Sequence, residues 1–234
     1  MVDIKEIQEK LIKKLEGTGW DLKLRSFIKS ADFENILTTL HEQREDGKRF
    51  TPPLKYVFRA FEECPLDKLK VVIIGQDPYP HMGVADGIAF SCSLTGKPQP
   101  SLRYIFNGLN ETIYKDGREQ NPDLKRWANQ GVLMLNTALT CQIDKIGSHL
   151  PIWQSFVAYL LDMLNLTNSG LVFILLGAKA HEFESLLGDN HFILKASHPA
   201  SAAYAGGKWD CNDVFNKANE IIEQHNGSQF KIDW

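Results

Sequence analysis

The chain has 234 residues and a formal net charge of −3, from 26 Lys and Arg against 29 Asp and Glu. This length suits one domain with an ordinary hydrophobic core, so we expect a single domain over residues 1–234. The weakly acidic balance excludes a broadly basic nucleic-acid-binding surface, although it is compatible with a local basic groove.

The cysteines Cys64, Cys92, Cys141 and Cys211 are far apart and form no Cys-x-x-Cys motif. Neither a zinc site nor an iron–sulfur cluster is therefore expected, and unpaired thiols favour a reducing, intracellular environment. No apolar run approaches the length of a membrane span, and the first residues lack a signal-peptide pattern. We expect a cytoplasmic protein that uses no metal, no cofactor and no membrane.

The first 49 residues are predicted to be helical. Apolar residues recur at helical spacing within residues 1–17, and the helical pattern continues over 20–45. The charged positions between them are typical of a solvated helix face. We assign no chemistry to this N-terminal portion and place the functional core in residues 50–234.

Short apolar runs in the rest of the chain are predicted to be buried strands, and they lie at 71–74, 131–135, 171–176 and 192–194. The helices are predicted over 54–64, 102–114, 124–130, 148–166, 179–187 and 214–225. Strands that alternate with helices indicate an α/β fold. We expect one three-layer domain in which a short, mostly parallel sheet of about four strands lies between helices.

The first predicted strand leads into the segment Gly75-Gln-Asp-Pro-Tyr79. Ligands of α/β proteins bind beyond the carboxyl ends of parallel strands, which is where Asp77 is expected. Pro78 and Pro80 stiffen this segment, and Gly75 lets a ligand approach the backbone. An Asp-Pro step considered alone is better explained as a rigid turn, so a functional interpretation depends on other parts of the chain.

Further motifs follow in order. They are Gly87-Ile-Ala-Phe-Ser91, which is predicted to be strand-like, Pro100-Ser-Leu102, Leu133-Met-Leu-Asn-Thr137 and His198-Pro-Ala-Ser201. Together with the Asp77 segment, these motifs resemble the active-site segments of the family 1 uracil-DNA glycosylases. The resemblance runs from about Phe50 to Asn219. It implies an enzyme of base excision repair that flips uracil out of DNA and hydrolyses the bond between base and sugar, without lyase activity.

The resemblance assigns the chemistry to Asp77 and His198. Cleavage of a base–sugar bond gives the sugar oxocarbenium character and leaves negative charge on the base. Asp77 would stabilise that sugar and orient or deprotonate the attacking water. His198 would donate a hydrogen bond to a uracil carbonyl oxygen, and we expect its imidazole to act in the neutral form.

The same resemblance assigns uracil binding to four other side chains. Asn136 offers one acceptor and one donor, which match uracil and oppose cytosine. Phe90 would stack on the flipped base, and Tyr79 would exclude the methyl group of thymine. Gln76 is expected to lie beside the base and to act through its backbone.

The segment after His198, residues 200–204, is here called the wedge loop. In the family pattern His-Pro-Ser-Pro-Leu-Ser, the Leu enters the duplex as a wedge. Matched position by position, Ala202 replaces that Leu; with a loop one residue shorter, Ser201 keeps a phosphate-binding hydroxyl and Tyr204 takes the family's tyrosine position. Both alternatives predict weaker strand invasion and a larger preference for single-stranded or mispaired uracil. They also predict weaker binding of the phage DNA-mimic inhibitor that grips the wedge.

Ser101 has two interpretations. It follows Pro100 in a proline-stiffened loop, where a serine is commonly the N-cap of the next helix. In the family the equivalent serine contacts a DNA phosphate, and a helix N-terminus suits an anion in either case.

Other classes of function are weighed against the glycosylase. A non-catalytic DNA-binding or processivity module would not need Asp77 and His198, and both are present. A nucleotide-binding protein would carry a Gly-x-Gly-x-x-Gly or Walker-type motif, and the sequence has neither. A mismatch-directed thymine glycosylase is opposed by Tyr79 and Asn136. We expect a monomer whose partner is uracil-containing DNA, either single- or double-stranded.

Overall fold

The computed structural model describes residues 3–115 and 117–234. The α-helices of this part are α1 Ile4–Lys14, α2 Trp20–Ile28, α3 Ala31–Glu45, α4 Arg59–Glu63, α5 Pro100–Leu109, α6 Lys125–Ala128, α7 Leu150–Thr167, α8 Ala178–His181 and α9 Val214–Asn226. The strands are β1 Phe50–Thr51, β2 Val71–Gly75, β3 Val132–Asn136, β4 Cys141–Gln142, β5 Val172–Leu176 and β6 Phe192–Ala196. Met1 and Val2 of the predicted first helix, and Asp116, lie outside the described residues.

The central sheet has the strand order β3-β2-β5-β6, and each neighbouring pair is parallel. Strands β2, β3 and β5 are buried along their whole length, because helices cover both faces of the sheet. The predicted α/β fold with a short parallel sheet is therefore confirmed. Parallel pairing also brings the carboxyl ends of all these strands to one edge, where Gly75 pairs with Asn136.

The N-terminal helices begin where side chains cap them. Asp3 accepts a hydrogen bond from the Glu6 N–H at the start of α1, and Ser30 accepts one from the Phe33 N–H at the start of α3. The cap at Ser30 divides the predicted helical stretch 20–45 into α2 and α3. Helices α2 and α3 pack against α7, whose buried face belongs to the same hydrophobic core as the sheet. No helix in the described residues is both long and apolar enough to cross a membrane.

The expected strand at residues 87–91 is wrong, because the chain turns there. Gly87 has φ +90°, and a Cβ at this position would lie 1.7 Å from the Tyr56 carbonyl oxygen. Phe90 also adopts a left-handed conformation, with φ 64°. Sequence composition favoured a strand, but the close packing of Gly87 on Tyr56 fixes a loop.

Three predicted helices also differ in type. The helix expected over 54–64 is a 3-10 turn, Leu54–Tyr56, followed by α4. The helix expected over 102–114 is α5 followed by a π-helical turn, Asn110–Tyr114. The helix expected over 179–187 is the short α8 followed by a 3-10 turn, Glu182–Leu186. Their positions in the fold are as predicted.

A second, two-stranded sheet lies beside the central one. Strands β1 and β4 pair antiparallel, with Thr51 opposite Cys141. The loop after β4, residues 143–149, reaches the carboxyl edge of the central sheet, where the Asp144 N–H donates to the Pro80 carbonyl at 3.0 Å. This pairing brings a segment without a recognised motif to the functional edge.

Candidate active site

A cavity of about 260 Å³ opens at the carboxyl edge of the central sheet. The loops after β2, β4 and β6 form it, together with the end of β3, the turn at residues 87–91 and the start of α5. The residues predicted from sequence that line it are Gln76, Asp77, Tyr79, Phe90, Ser101, Asn136 and His198. Pro100, Ser201, Ala202 and Tyr204 do not line it.

The Asp77 carboxylate is held through one of its two oxygens. Its Oδ2 accepts a hydrogen bond from the Gly147 N–H at 2.5 Å and lies 3.3 Å from the Cys141 Sγ. Within the described residues, Oδ1 accepts no hydrogen bond. One edge of the carboxylate is thus fixed by the loop after β4, while the other remains available to a water molecule or a substrate in the cavity.

The loop that carries Asp77 is tied to the end of β3. The Gln76 carbonyl accepts hydrogen bonds from the Thr137 Oγ1 at 2.8 Å and from the Ala138 N–H at 3.0 Å. The Thr137 N–H donates in turn to the Gly75 carbonyl at 3.1 Å. These bonds continue the β2–β3 pairing past the sheet and fix the position of Asp77 relative to Asn136.

The Asn136 side chain lies against Gly75, its partner in β2. A Cβ at Gly75 would be 2.7 Å from the Asn136 Oδ1 and 3.3 Å from the Phe90 Cε2. The Asn136 amide makes no hydrogen bond to the described residues, so its donors and its acceptor are free for a ligand. Packing on Gly75, and not a hydrogen bond, holds this side chain at the base of the cavity.

His198 immediately precedes a 3-10 helix, Pro199–Tyr204, and caps it. Its Nδ1 accepts a hydrogen bond from the Ala200 N–H at 3.2 Å, so a neutral ring must carry its proton on Nε2. Burial lowers the pKa of His198, and the nearby charge of Asp77 opposes that shift. The imidazole is therefore neutral at pH 7 and offers the Nε2–H as a donor.

The turn that presents Phe90 is organised around the fully buried Asp86. Its carboxylate pairs with Arg59 Nη1 at 2.8 Å and accepts hydrogen bonds from the Ile88 N–H, the Ser91 hydroxyl and the Ser93 N–H at 2.6 to 3.2 Å. A buried carboxylate with this many donors is fully compensated.

Tyr79 closes the other side of this turn. Its hydroxyl donates to the Phe90 carbonyl at 3.1 Å, which orients both aromatic residues. Burial raises the pKa of Tyr79, so the phenol is neutral and acts as a donor. The rings of Phe90 and His198 lie with centroids 6.1 Å apart. A planar ligand that fills the cavity would contact all three side chains.

Two outer segments flank the cavity. Helix α5 begins at Pro100 with Gln99 as its N-cap residue, so Ser101 is not the N-cap. Ser101 is half-buried and faces the cavity. In the wedge loop, Ala202 is completely buried, whereas the Tyr204 side chain is 95% exposed.

Some of the residues at this edge carried no signal in the sequence. Gly147 and Cys141 contact Asp77 although they are 70 and 64 residues away from it. Asp86 could have been suspected only as an acidic residue in an apolar segment.

Across residues 3–115 and 117–234, no group of three or more His, Cys, Asp or Glu side chains is arranged to hold a metal ion.

Comparisons with known proteins agree with this geometry. Residues 61–223 match the family model of the uracil DNA glycosylase superfamily. The chain is 37% identical to a uracil-DNA glycosylase of Acinetobacter baumannii over 230 residues, which cover 97% of this chain and 95% of the relative. It is also 38% identical to a uracil-DNA glycosylase of Escherichia coli O157:H7 over 204 residues, 86% of this chain and 88% of that relative.

Solved structures share the fold. The mimivirus uracil-DNA glycosylase superposes with a TM-score of 0.82 at 27% identity, covering 92% of this chain and 86% of that chain. A tyrosine-to-leucine variant of the mimivirus protein, solved in complex with UGI, gives a TM-score of 0.83 at 27% identity and covers 95% of this chain and 90% of that chain. With its parallel sheet, its cavity and these matches, the chain belongs to the uracil-DNA glycosylase superfamily.

Proposed function

We propose that this protein is a family 1 uracil-DNA glycosylase, which hydrolyses the N-glycosidic bond of uracil in DNA and leaves an abasic site. One observation carries the proposal: the Asp77 carboxylate and the neutral His198 imidazole line the same small cavity as Asn136 and Phe90. A negative charge near the sugar and a hydrogen-bond donor near the base are what this reaction needs.

The substrate reaches the cavity as a flipped nucleotide. At about 260 Å³ the cavity is slightly smaller than the usual ligand site, which has a volume of at least about 300 Å³, so it suits a single base. A base in a duplex must leave the stack to enter it, at a cost of a few kcal/mol. The base then stacks on Phe90. Stacking on an aromatic side chain stabilises a bound base by about 1–3 kcal/mol.

Bond cleavage follows from the arrangement of the two polar groups. As the base–sugar bond breaks, the electron pair of that bond moves to the uracil, and the His198 Nε2–H stabilises the charge that develops on a carbonyl oxygen. Asp77 stabilises the cationic sugar and takes a proton from the water that attacks its anomeric carbon. The oxygen Oδ1 performs this step, because Oδ2 is occupied by the Gly147 N–H.

Selectivity for uracil is assigned to Asn136 and Tyr79. The Asn136 amide can pair with the uracil O4 and N3–H together, whereas cytosine leaves buried groups unpaired at a cost of about 1–3 kcal/mol each. The Tyr79 ring, fixed by its bond to the Phe90 carbonyl, forms a rigid wall against the methyl group of thymine. Gln76 lies beside the base and acts through its backbone.

We assign the wedge to Tyr204 in preference to Ala202. Ala202 is completely buried and cannot reach a duplex, whereas Tyr204 extends into solvent at the end of the 3-10 helix. Ser201 and Ser101 are half-buried and supply hydroxyls for DNA phosphates, with Pro100 stiffening the start of α5. We keep the expectation that this altered loop favours single-stranded or mispaired uracil.

The same loop bears on protein inhibitors. Relatives from mimivirus are solved in complex with UGI. We propose that the present protein acts as a monomer. We also propose that a DNA-mimicking inhibitor of this kind binds it, but less tightly than it binds relatives that carry Leu at the wedge position.

The test is uracil release from single-stranded, U·A, U·G and T·G oligonucleotides in the presence of a chelator, with alkali cleavage of abasic sites as readout. We expect release from the uracil substrates alone, reduced by at least about 100-fold in Asp77→Asn and in His198→Ala. Asp189→Asn, which changes a carboxylate outside the cavity, is the matched control. A folded wild-type protein that releases no base would refute the proposal and favour the DNA-binding module.

A further inference from the structure

Cys141 lies directly behind the Asp77 carboxylate. It belongs to β4, is completely buried, and places its Sγ 3.3 Å from the Asp77 Oδ2. The backbone N–H of Gly147 donates to the same oxygen. Two donors, one from β4 and one from the loop that follows it, therefore converge on a single carboxylate oxygen.

The thiol has one proton to donate and four acceptors within reach, of which the Ser148 Oγ is the most distant at 3.8 Å. Its Sγ lies 3.2 Å from the Lys145 carbonyl, 3.4 Å from the Gln142 carbonyl and 3.3 Å from the Asp77 Oδ2. Each of the two carbonyls already accepts a backbone N–H, from Ser148 and Lys145 respectively. An ionised carboxylate is the stronger acceptor, so the S–H points to Asp77.

The Cys141 thiol stays protonated at neutral pH. Burial raises the pKa of Cys141 to about 11, and the neighbouring Asp77 charge and hydrogen bond add to that shift. At neutral pH the group is thus a neutral donor and not a competing anion beside Asp77.

We propose that Cys141 is a positioning residue for the glycosylase reaction: its S–H and the Gly147 N–H together fix Oδ2, so that the free Oδ1 of Asp77 points at the attacking water. This inference rests on the proposed function, in which Asp77 acts on that water. A carboxylate held by one donor can rotate about that contact, whereas one held by two donors, from the braced β4 and from the loop after it, cannot. Small misplacements of a reacting group carry large kinetic costs.

The bracing comes from outside the central sheet. Cys141 pairs with Thr51 of β1, and the Gln142 N–H donates to the Ser148 Oγ at 2.9 Å. The two-stranded sheet thus transmits its rigidity to Asp77 through a single side chain. Cys141 acts on Asp77 and touches neither base nor sugar in this scheme.

The test compares variants at position 141 by single-turnover and steady-state uracil release from a single-stranded oligonucleotide. Cys141→Val keeps the bulk and removes the donor, whereas Cys141→Ser keeps a donor. We expect Cys141→Val to lower the chemical rate about tenfold with KM unchanged, and Cys141→Ser to restore most of it. Cys64→Ala, which changes a buried thiol far from the cavity, should leave the rate unchanged.

A double-mutant cycle isolates the path of the effect. In an Asp77→Asn background, Cys141→Val should cause no further loss, because the positioned group is already gone. Wild-type rates in Cys141→Val, or equal losses in the Val and Ser variants, would overturn the inference. If wild type itself releases no uracil, the proposed function has failed; if wild type is active, Asp77→Asn is inactive and Cys141→Val is unimpaired, only the role of Cys141 has failed.

Discussion

Gly75 and Asn136 are paired across β2 and β3, and the missing side chain of Gly75 is the space that the Asn136 carboxamide occupies. A Cβ at position 75 would lie 2.7 Å from the Asn136 Oδ1, closer than side chains tolerate. Gly75 is therefore needed for the space that its missing side chain leaves, and not for a left-handed backbone conformation.

Gly75→Ala should impair uracil recognition without unfolding the protein. The clash is with side-chain atoms of Asn136 and Phe90, which can shift, so we expect kcat/KM to fall by about tenfold or more. Gly188→Ala is the matched control, because its Cβ would meet the Asn190 Oδ1 at 2.5 Å away from the cavity. Both should show similar thermal midpoints; unchanged kcat/KM in Gly75→Ala would contradict the expectation.

The His198 ring should be neutral and protonated on Nε2 at pH 7. The Ala200 N–H donates to Nδ1, and burial lowers the pKa of His198 below its ordinary value of 6.5. Nitrogen-15 NMR of imidazole-labelled protein should therefore show this tautomer as the main species at pH 7, with the midpoint of imidazolium formation below pH 6.5. An imidazolium spectrum at pH 7 would disprove the neutral-donor mechanism.

Tyr204→Ala should reduce activity on duplex DNA selectively. The side chain is 95% exposed, so its removal leaves the fold intact, but an inserted aromatic wedge would be lost. We expect the ratio of rates on U·A duplex and single-stranded substrate to fall about tenfold, since stacking on a base contributes about 1–3 kcal/mol. Tyr204→Phe should retain the wild-type ratio. Equal losses on both substrates would rule out a wedge at this position.

His149 should make the protein less stable in mild acid. It is buried, its Nδ1 accepts from the Thr140 hydroxyl, and its Nε2 donates to the Gln43 Oε1. Burial lowers the pKa of His149 to about 4, whereas the unfolded value is about 6.5.

Between those pH values His149 is protonated in the unfolded chain and neutral in the folded chain. Stability is therefore complete above pH 6.5 and falls as the pH decreases towards 4, by up to about 1.4 kcal/mol per unit. Urea unfolding at pH 7.5 and at pH 5 measures this loss. His149→Gln removes the titrating group and should flatten the dependence; an unchanged slope would exclude His149 as its source.

Asp86→Asn should destabilise the protein strongly. The change removes the fully buried charge that Arg59 Nη1, the Ser91 hydroxyl and two backbone N–H groups contact, while Arg59 keeps its pair with Asp123 at 2.8 Å. Breaking a buried pair costs up to about 3–5 kcal/mol. Urea unfolding should reveal it. Asp144→Asn removes an exposed pair with His81 and should cost less than about 1 kcal/mol. Similar losses in the two variants would show that Asp86 is not the centre of the turn.

The sequence predicted the sheet well because β2, β3 and β5 are buried on both faces and read as uninterrupted apolar runs. It also placed Asp77, Asn136 and His198 at one edge, since parallel strands leave no other arrangement. The turn at Phe90 was missed because its conformation depends on the contact between Gly87 and Tyr56, which has no local signal.

The wedge loop was ambiguous for a similar reason. In a 3-10 helix residues three apart share a face, and here Pro199 and Ala202 are both buried. That leaves Tyr204 exposed, a result that depends on the helix type and not on the residue pattern. The contact between Cys141 and Asp77 was equally invisible, because β4 has only two residues.

Three of the four buried thiols lie next to different parts of the site. Cys92 follows the Phe90 turn, Cys141 touches Asp77, and Cys211 follows the wedge loop, and all are inaccessible with raised pKa values. Because alkylating reagents attack the thiolate, each cysteine can react only when its own segment opens. The native chain thus contains built-in reporters, and pulsed alkylation resolved by mass spectrometry would give the opening free energy of each segment separately, with and without bound DNA.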